Sequence, residues 1–182
     1  MIHTILTLSF LISTIISGTY KVNPELSFVE VDGTSTLHDW TIQAKELKTV
    51  GTLTFSENGI NVSNVVLTIP VKSLESGKSA MNDNTYSALK ASKYPNIVFK
   101  LNEFKTTDNK NFTANGALTI SGTTKNLSPR LTVTEIAGNK VQLKGSISFK
   151  MSSFGVEPPT VMFGTISTGD EVTIRYNVVL NK

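Results

Sequence analysis

The stretch Phe112-Thr113-Ala114-Asn115-Gly116-Ala117-Leu118-Thr119-Ile120 alternates in polarity: Phe112, Ala114, Leu118 and Ile120 fall on one side, Thr113, Asn115 and Thr119 on the other. Successive side chains of a β-strand point to opposite faces, so this period of two predicts a strand wetted on one side only. The pattern returns in Val141, Leu143, Ile147 and Phe149, set against Gln142, Lys144, Ser146, Ser148 and Lys150. It returns again in Val172, Ile174, Tyr176, Val178 and Leu180. One-sided strands need a second sheet, or closure of the sheet on itself, to hide the apolar face. A closed barrel lined by apolar side chains has room to be hollow, which ties this choice to function.

Working outward, the chain predicts strands over 27–31, 35–47, 51–56 and 60–71, and then over 96–104, 111–121, 130–136, 140–151 and 171–180. Turn residues separate them at Asp32-Gly33, Lys48-Thr49, Glu57-Asn58-Gly59, Thr107-Asp108-Asn109-Lys110, Ser121-Gly122-Thr123, Ala137-Gly138-Asn139 and Thr168-Gly169-Asp170. The paired prolines Pro158-Pro159 exclude a central strand there. One helix is predicted over 80–92, with Met81, Tyr86 and Leu89 as a partial apolar stripe, Asp83 in its first turn and Lys90 and Lys93 near its last. Pro95 disfavours helical geometry at Tyr94 and so ends it. Neither an internal repeat nor a linker divides the chain, and the outline is an antiparallel all-β domain with one inserted short helix.

The chain has 182 residues, 39% hydrophobic and 17% charged, with a net charge of +3. That is a globular composition for one domain with a sizeable core. The basic residues are scattered and never adjacent, so the electrostatic footprint of a nucleic-acid binder is missing. Residues 1–18 carry no Lys, Arg, Asp or Glu, and residues 5–16 are an apolar run of signal-peptide length. The expectation is a signal peptide over 1–18, a mature domain over 19–182, and a periplasmic or secreted location. With no cysteine there is neither a disulfide framework nor a lipidated Cys anchor.

The nearest approach to a catalytic cluster is Ser35, His38 and Asp39. Hydrolysis would need His38 to take a proton from Ser35 while Asp39 orients the imidazole, yet in a strand His38 and Asp39 point to opposite faces. No G-x-S-x-G, P-loop or G-x-G-x-x-G occurs. His38 is the only histidine beyond residue 18, too few N or S ligands for a zinc site. Catalytic residues, a metal and a cofactor are therefore not expected. His38 shares a face with Trp40 and Ile42, as an interior or rim histidine beside the indole or as a polar contact at a barrel mouth.

Three stretches resemble the YceI-like family of exported lipid-binding proteins. They are Ser92-Lys93-Tyr94-Pro95-Asn96-Ile97-Val98-Phe99-Lys100-Leu101, the segment Gly116-Ala117-Leu118-Thr119-Ile120-Ser121-Gly122-Thr123-Thr124-Lys125, and the region 151–174 with Phe154-Gly155 and Gly169-Asp170-Glu171-Val172. Gly33-Thr34-Ser35-Thr36-Leu37-His38-Asp39-Trp40 is similar to one bacterial branch. The resemblance spans roughly residues 20–182.

It implies a lipocalin-like antiparallel β-barrel of roughly eight strands that holds a long-chain lipid or isoprenoid, a polyisoprenoid or fatty-acid derivative, as a non-enzymatic carrier. On that reading His38 and Trp40 stand at the mouth. Phe55, Leu67, Ile69, Phe99, Leu101, Leu118, Ile120, Phe149 and Ile174 line the interior, and Met81, Tyr86 and Leu89 of the helix flank an opening. A transient contact with the envelope or a membrane, and pairing into a homodimer, stay open. The alternative is a filled barrel that acts as an envelope protein–protein interaction module. The residues alone do not separate filled from hollow.

Overall fold

A computed structural model describes residues 16–18, 21–56, 59–106, 108, 110–136, 140–161 and 163–181. The strands are β1 (Ile16–Gly18), β2 (Lys21–Val22), β3 (Phe28–Ser35), β4 (Trp40–Ala44), β5 (Lys48–Ser56), β6 (Gly59–Pro70) and β7 (Leu74–Glu75). After the helix α1 (Ser79–Ala88) come β8 (Asn96–Thr106), β9 (Asn111–Ile120), β10 (Thr123–Leu127), β11 (Arg130–Ile136), β12 (Lys140–Lys150), β13 (Thr160–Val161) and β14 (Ile166–Asn181). They form one curled antiparallel sheet in the order β1-β5-β6-β8-β9-β11-β12-β14-β3-β4-β7, with β10 on β9, and β2 and β13 on β14. The all-β architecture with one short helix is as the alternation predicts.

The sheet's two ends meet through the chain itself. β6 leads into a single 3-10 turn, Val71–Ser73, and emerges as β7, which pairs with β4 at the far end of the order. Lys45 N–H donates to Ser73 O at 2.8 Å beside this junction.

β9 is the alternation made visible: from Phe112 to Ile120 every second residue is buried, Gly116 included. Its turn, Ser121-Gly122, has positive φ at both residues (49° and 80°), as a two-residue hairpin requires. The chain then runs back as β10, a strand not foreseen in the sequence.

Three further departures have local causes. Asp32-Gly33 lies inside β3 rather than in a turn, because the indole of Trp40, paired across from Gly33, lies flat on it. A Cβ on Gly33 would come within 2.1 Å of Trp40 Cζ2. Lys48-Thr49 opens β5, paired with Thr68 and Leu67 of the long β6, since neither residue has the turn chemistry that would reverse the chain. Thr168-Gly169-Asp170 is an irregularity within β14, whose register against β3 shifts between Thr168 and Val172. Asp170 is held there by the N–H and Oγ of Ser152, at 2.8 and 2.6 Å, and Gly169 by contact with Thr34.

The predicted strand 35–47 is broken at its start. Ser35 Oγ accepts the N–H groups of Leu37 and His38 and donates to His38 O at 2.7 Å, which bends residues 36–39 before β4 begins. The helix is shorter than predicted and stops well before Pro95. Lys90 takes a left-handed conformation (φ 54°), Ala91 N–H reaches back to Tyr86 O and Lys90 N–H to Ser87 O, which is a Schellman stop. Because the helix starts at Ser79, Asp83 lies outside the first turn, and because it stops at Ala88 no basic residue lies in the last.

The interior is packed in one half and open in the other. Phe112, Ala114, Leu131, Val133 and Val141 form a buried cluster, closed by Phe104 stacked on Phe112 at 4.7 Å between ring centres. Val29, Ile42, Ile69 and Leu74 form a second cluster with α1 against it, and Leu118, Ile120, Phe154 and Val156 a third. Tyr176 touches the first two clusters. Its ring lies over Gly145, where a Cβ would meet Tyr176 Oη at 2.5 Å, and its hydroxyl donates to Arg130 O at 3.1 Å. Outside, Arg175 bridges Asp32 and Glu30 across the β3–β14 pair and lowers the pKa of Asp32, a solvated surface pair as its alternation with Ile174 implies.

Burial pushes the Tyr176 hydroxyl up to about 12 from an ordinary value near 10. A raised folded-state pKa contributes stability that is complete below pH ~10 and is lost as pH climbs through ~12. Replacement by Phe keeps the ring over Gly145. The Tyr176→Phe variant should therefore lose less stability than the parent between those limits in denaturant titrations at stepped pH, and parallel curves would reject the assignment.

Candidate functional site

The open half encloses a cavity of about 460 Å³. Its wall comes from the inner faces of β3, β4 and β14 (Val29, Val31, Ile42, Val172, Ile174), from Ile69 and Leu74 across the sheet junction, and from Ile97 and Ile120. Phe149, Met151, Phe154 and Val156 close one side, with Phe149 set edge-on to Phe154 at 5.0 Å. The polar groups are gathered at the rim, where His38, Lys78 and Asn84 are exposed. This segregation follows from the fold: alternation turns the apolar sets inward, and polar side chains reach the cavity from the bend and the helix end at the mouth and from the paired strand residues Ser35 and Thr168.

α1 covers part of the opening. Met81, Thr85, Ala88 and Leu89 face the cavity, yet none of the helix residues is fully buried. Its anchors are polar: Tyr86 Oη is shared between Leu74 O (3.0 Å) and Lys72 O (3.1 Å), Asn82 Oδ1 accepts Ser76 N–H and Oγ–H, and Ser121 Oγ donates to Leu89 O.

Of the residues singled out in the sequence, His38, Trp40, Ile69, Met81, Leu89, Ile120, Phe149 and Ile174 lie on the cavity wall. Tyr86 does not; it turns to the junction of the 3-10 turn and β7. Phe99 and Leu101 pack on the Phe112 cluster, Leu118 is buried beside Ile120 and Phe154, and Leu67 is half-buried opposite Phe99. Phe55 pairs through its backbone with Ile16, while its side chain lies outside the described residues. Sharing the inward face with Ile120 does not carry Leu118 to the cavity, because the packed half starts at that level of the strand. Val29, Ile42, Leu74, Val156 and Pro159 belong to the wall without having been singled out. The alternation of Trp40 with Ile42 was a signal for the second of them.

Ser35, His38 and Asp39 do not assemble a nucleophile. Ser35 Oγ is spent on the backbone of the bend, and His38 Nδ1 meets Asp39 O at 2.7 Å rather than a carboxylate. Among the described residues no three His, Asp or Glu side chains come together as a metal-binding group.

A curled antiparallel barrel with an apolar cavity at one end and polar groups at its mouth defines a lipocalin-like binding barrel. The model of the YceI-like domain matches residues 20–180, and the chain belongs to that family. Burkholderia cenocepacia BcnA has the same fold, with a TM-score of 0.74 at 21% identity over 87% of this chain and 99% of that one. The Campylobacter jejuni YceI protein gives 0.64 at 20% identity over 76% and 82%. A polyisoprenoid binding domain from Saccharophagus degradans, implicated in plant cell wall breakdown, gives 0.65 at 13% identity over 89% and 97%. None of the curated proteins matches the sequence.

The boundary between packed and open halves is testable with two enlargements. Leu118→Trp should cost about 1–3 kcal/mol in ligand-free protein, since a filled core resists added volume. Ile174→Trp, projecting into the cavity, should cost less than about 1 kcal/mol for want of fixed neighbours to displace. Equal losses in chemical denaturation would place both residues in one continuous core.

Proposed function

We propose that the protein is an exported carrier that holds one amphiphile, with its apolar chain in the open half of the barrel and its head at the rim. The observation that carries this reading is the segregation of the cavity wall, with Ile42, Ile69, Leu74, Phe154 and Val172 deep and His38, Lys78 and Asn84 outside. Chain burial supplies affinity at roughly 25 cal/mol per Å², partly offset by ordering a flexible chain. Lys78 is a cation placed for an acidic head, with the amide of Asn84 and the ring of His38 as hydrogen-bonding neighbours.

A cavity of about 460 Å³, open at its mouth, is of the size that takes one small ligand largely out of water. The family and the Saccharophagus degradans domain support an isoprenoid or lipid cargo. The uncharged apolar run 5–16 supports export.

Native mass spectrometry of protein taken gently from the cell-envelope fraction reads both claims at once. The polypeptide mass should lack about the first 18 residues, and a single bound amphiphile should be released on activation. A full-length chain found in the cytosol would overturn export. A lipid-free or randomly loaded barrel would overturn the carrier reading in favour of the interaction module.

A further inference from the structure

Phe163 stands wholly exposed at the tip of the β13–β14 hairpin, with backbone φ of 56° followed by Gly164 at 89°. Two successive positive φ values are the geometry of a primed turn, for which Asn-Gly is the favoured pair. A phenylalanine there combines a steric cost, since bulky residues avoid positive φ, with a large apolar ring left in water. Neither cost serves the folded chain, and strain combined with exposed apolar surface points to a contact outside it.

A second exposed apolar side chain lies at the same corner. Leu37, 67% exposed, sits in the bend 36–39. Thr36 N–H donates to Ser167 O at 3.0 Å, Ser167 N–H to Thr36 Oγ1 at 3.1 Å, and Thr36 Oγ1 to Thr165 O at 3.4 Å. Ser167 Oγ in turn donates to Gly164 O at 3.3 Å. The bend and the hairpin tip are thereby fixed side by side. Both border the cavity: Leu37, His38, Pro159 and Ile166 line it together with Ala80 and Met81 of α1. The formal charges on these three segments are Asp39, Asp83 and Glu157 against Lys78, so the corner has no excess of positive charge to draw it to anionic lipid.

We propose that this corner docks on a zwitterionic lipid bilayer, with Phe163 and Leu37 entering the interface and the cavity mouth facing the acyl region. Built on the carrier reading, it supplies the step that reading lacks: cargo passes between bilayer and barrel without its chain crossing water. Two apolar anchors give weak, reversible attachment, which suits a protein that must leave with its load.

Flotation with phosphatidylcholine vesicles tests this, using the parent protein, Phe163→Asn and Leu37→Ser. Asn suits positive φ better than Phe, so Phe163→Asn should keep or raise the thermal midpoint while vesicle partitioning falls by about tenfold, the scale of one lost buried aromatic. Leu37→Ser should lower it in the same direction. Adding phosphatidylglycerol or salt should change little. Binding of detergent-dispersed palmitate, read separately, should be the same in Phe163→Asn and parent. Absence of palmitate binding in every form sinks the carrier reading, whatever the vesicles show. Docking is overturned if the parent does not float, if Phe163→Asn floats as well as the parent, or if flotation requires phosphatidylglycerol. It is overturned equally if Phe163→Asn instead converts a dimer to a monomer in sedimentation equilibrium, which would make the corner a protein interface.

Discussion

Aromatic rings laid flat across glycines on the inner face are the contacts on which the rest of the interior depends. Trp40 lies on Gly33, Tyr176 on Gly145 and Phe99 on Gly116, at separations that no Cβ would permit. A glycine in a strand interior is costly by itself, and a ring from a neighbouring strand recovers the lost packing. Each pair also decides what its part of the barrel contains. Tyr176 and Phe99 reach into the Phe112 cluster from one side and the remaining clusters from the other, so they stand between the packed and open halves. Trp40 is anchored by its Nε1–H to Thr34 O at 3.0 Å and forms wall rather than filling.

The two halves then have different work. The packed half, built on Phe112, Val133 and Val141 with the Phe104–Phe112 stack, supplies a core that does not depend on cargo. The open half leaves Ile69, Ile174 and Met81 facing the cavity, where any ligand bound there would add stability by mass action. The helix over the mouth joins the sheet through hydrogen bonds and through Met81, Tyr86 and Leu89 packed on the second cluster, and buries no residue completely.

The fold was legible because alternation is a local signal, and β9, β12 and β14 each carry it through nine residues. Legibility failed where tertiary contacts overrode turn chemistry. Asp32-Gly33 and Thr168-Gly169-Asp170 have turn composition, yet their glycines are there to admit Trp40 and Thr34 from adjacent strands. Lys90 stops the helix in a left-handed conformation that composition does not announce. For the site, periodicity tells which residues face inward but not how far along the barrel they sit. It therefore grouped Leu118 with Ile120, although Leu118 is core and Ile120 wall. The contribution of Phe154, Val156 and Pro159 needed the 151–159 segment folded back on the sheet, which no local pattern encodes.

The central claim, a barrel solid at one end and hollow at the other, is read most directly by methyl NMR with a fatty acid spin-labelled near its terminal methyl. The methyl signals of Ile42, Ile69, Ile174 and Met81 should broaden while those of Leu131, Val133 and Val141 stay sharp. Broadening shared equally by both sets would mean that the chain runs the length of the barrel. Broadening confined to surface residues such as Leu26 and Val50 would mean that it never enters, and either result would contradict the division described.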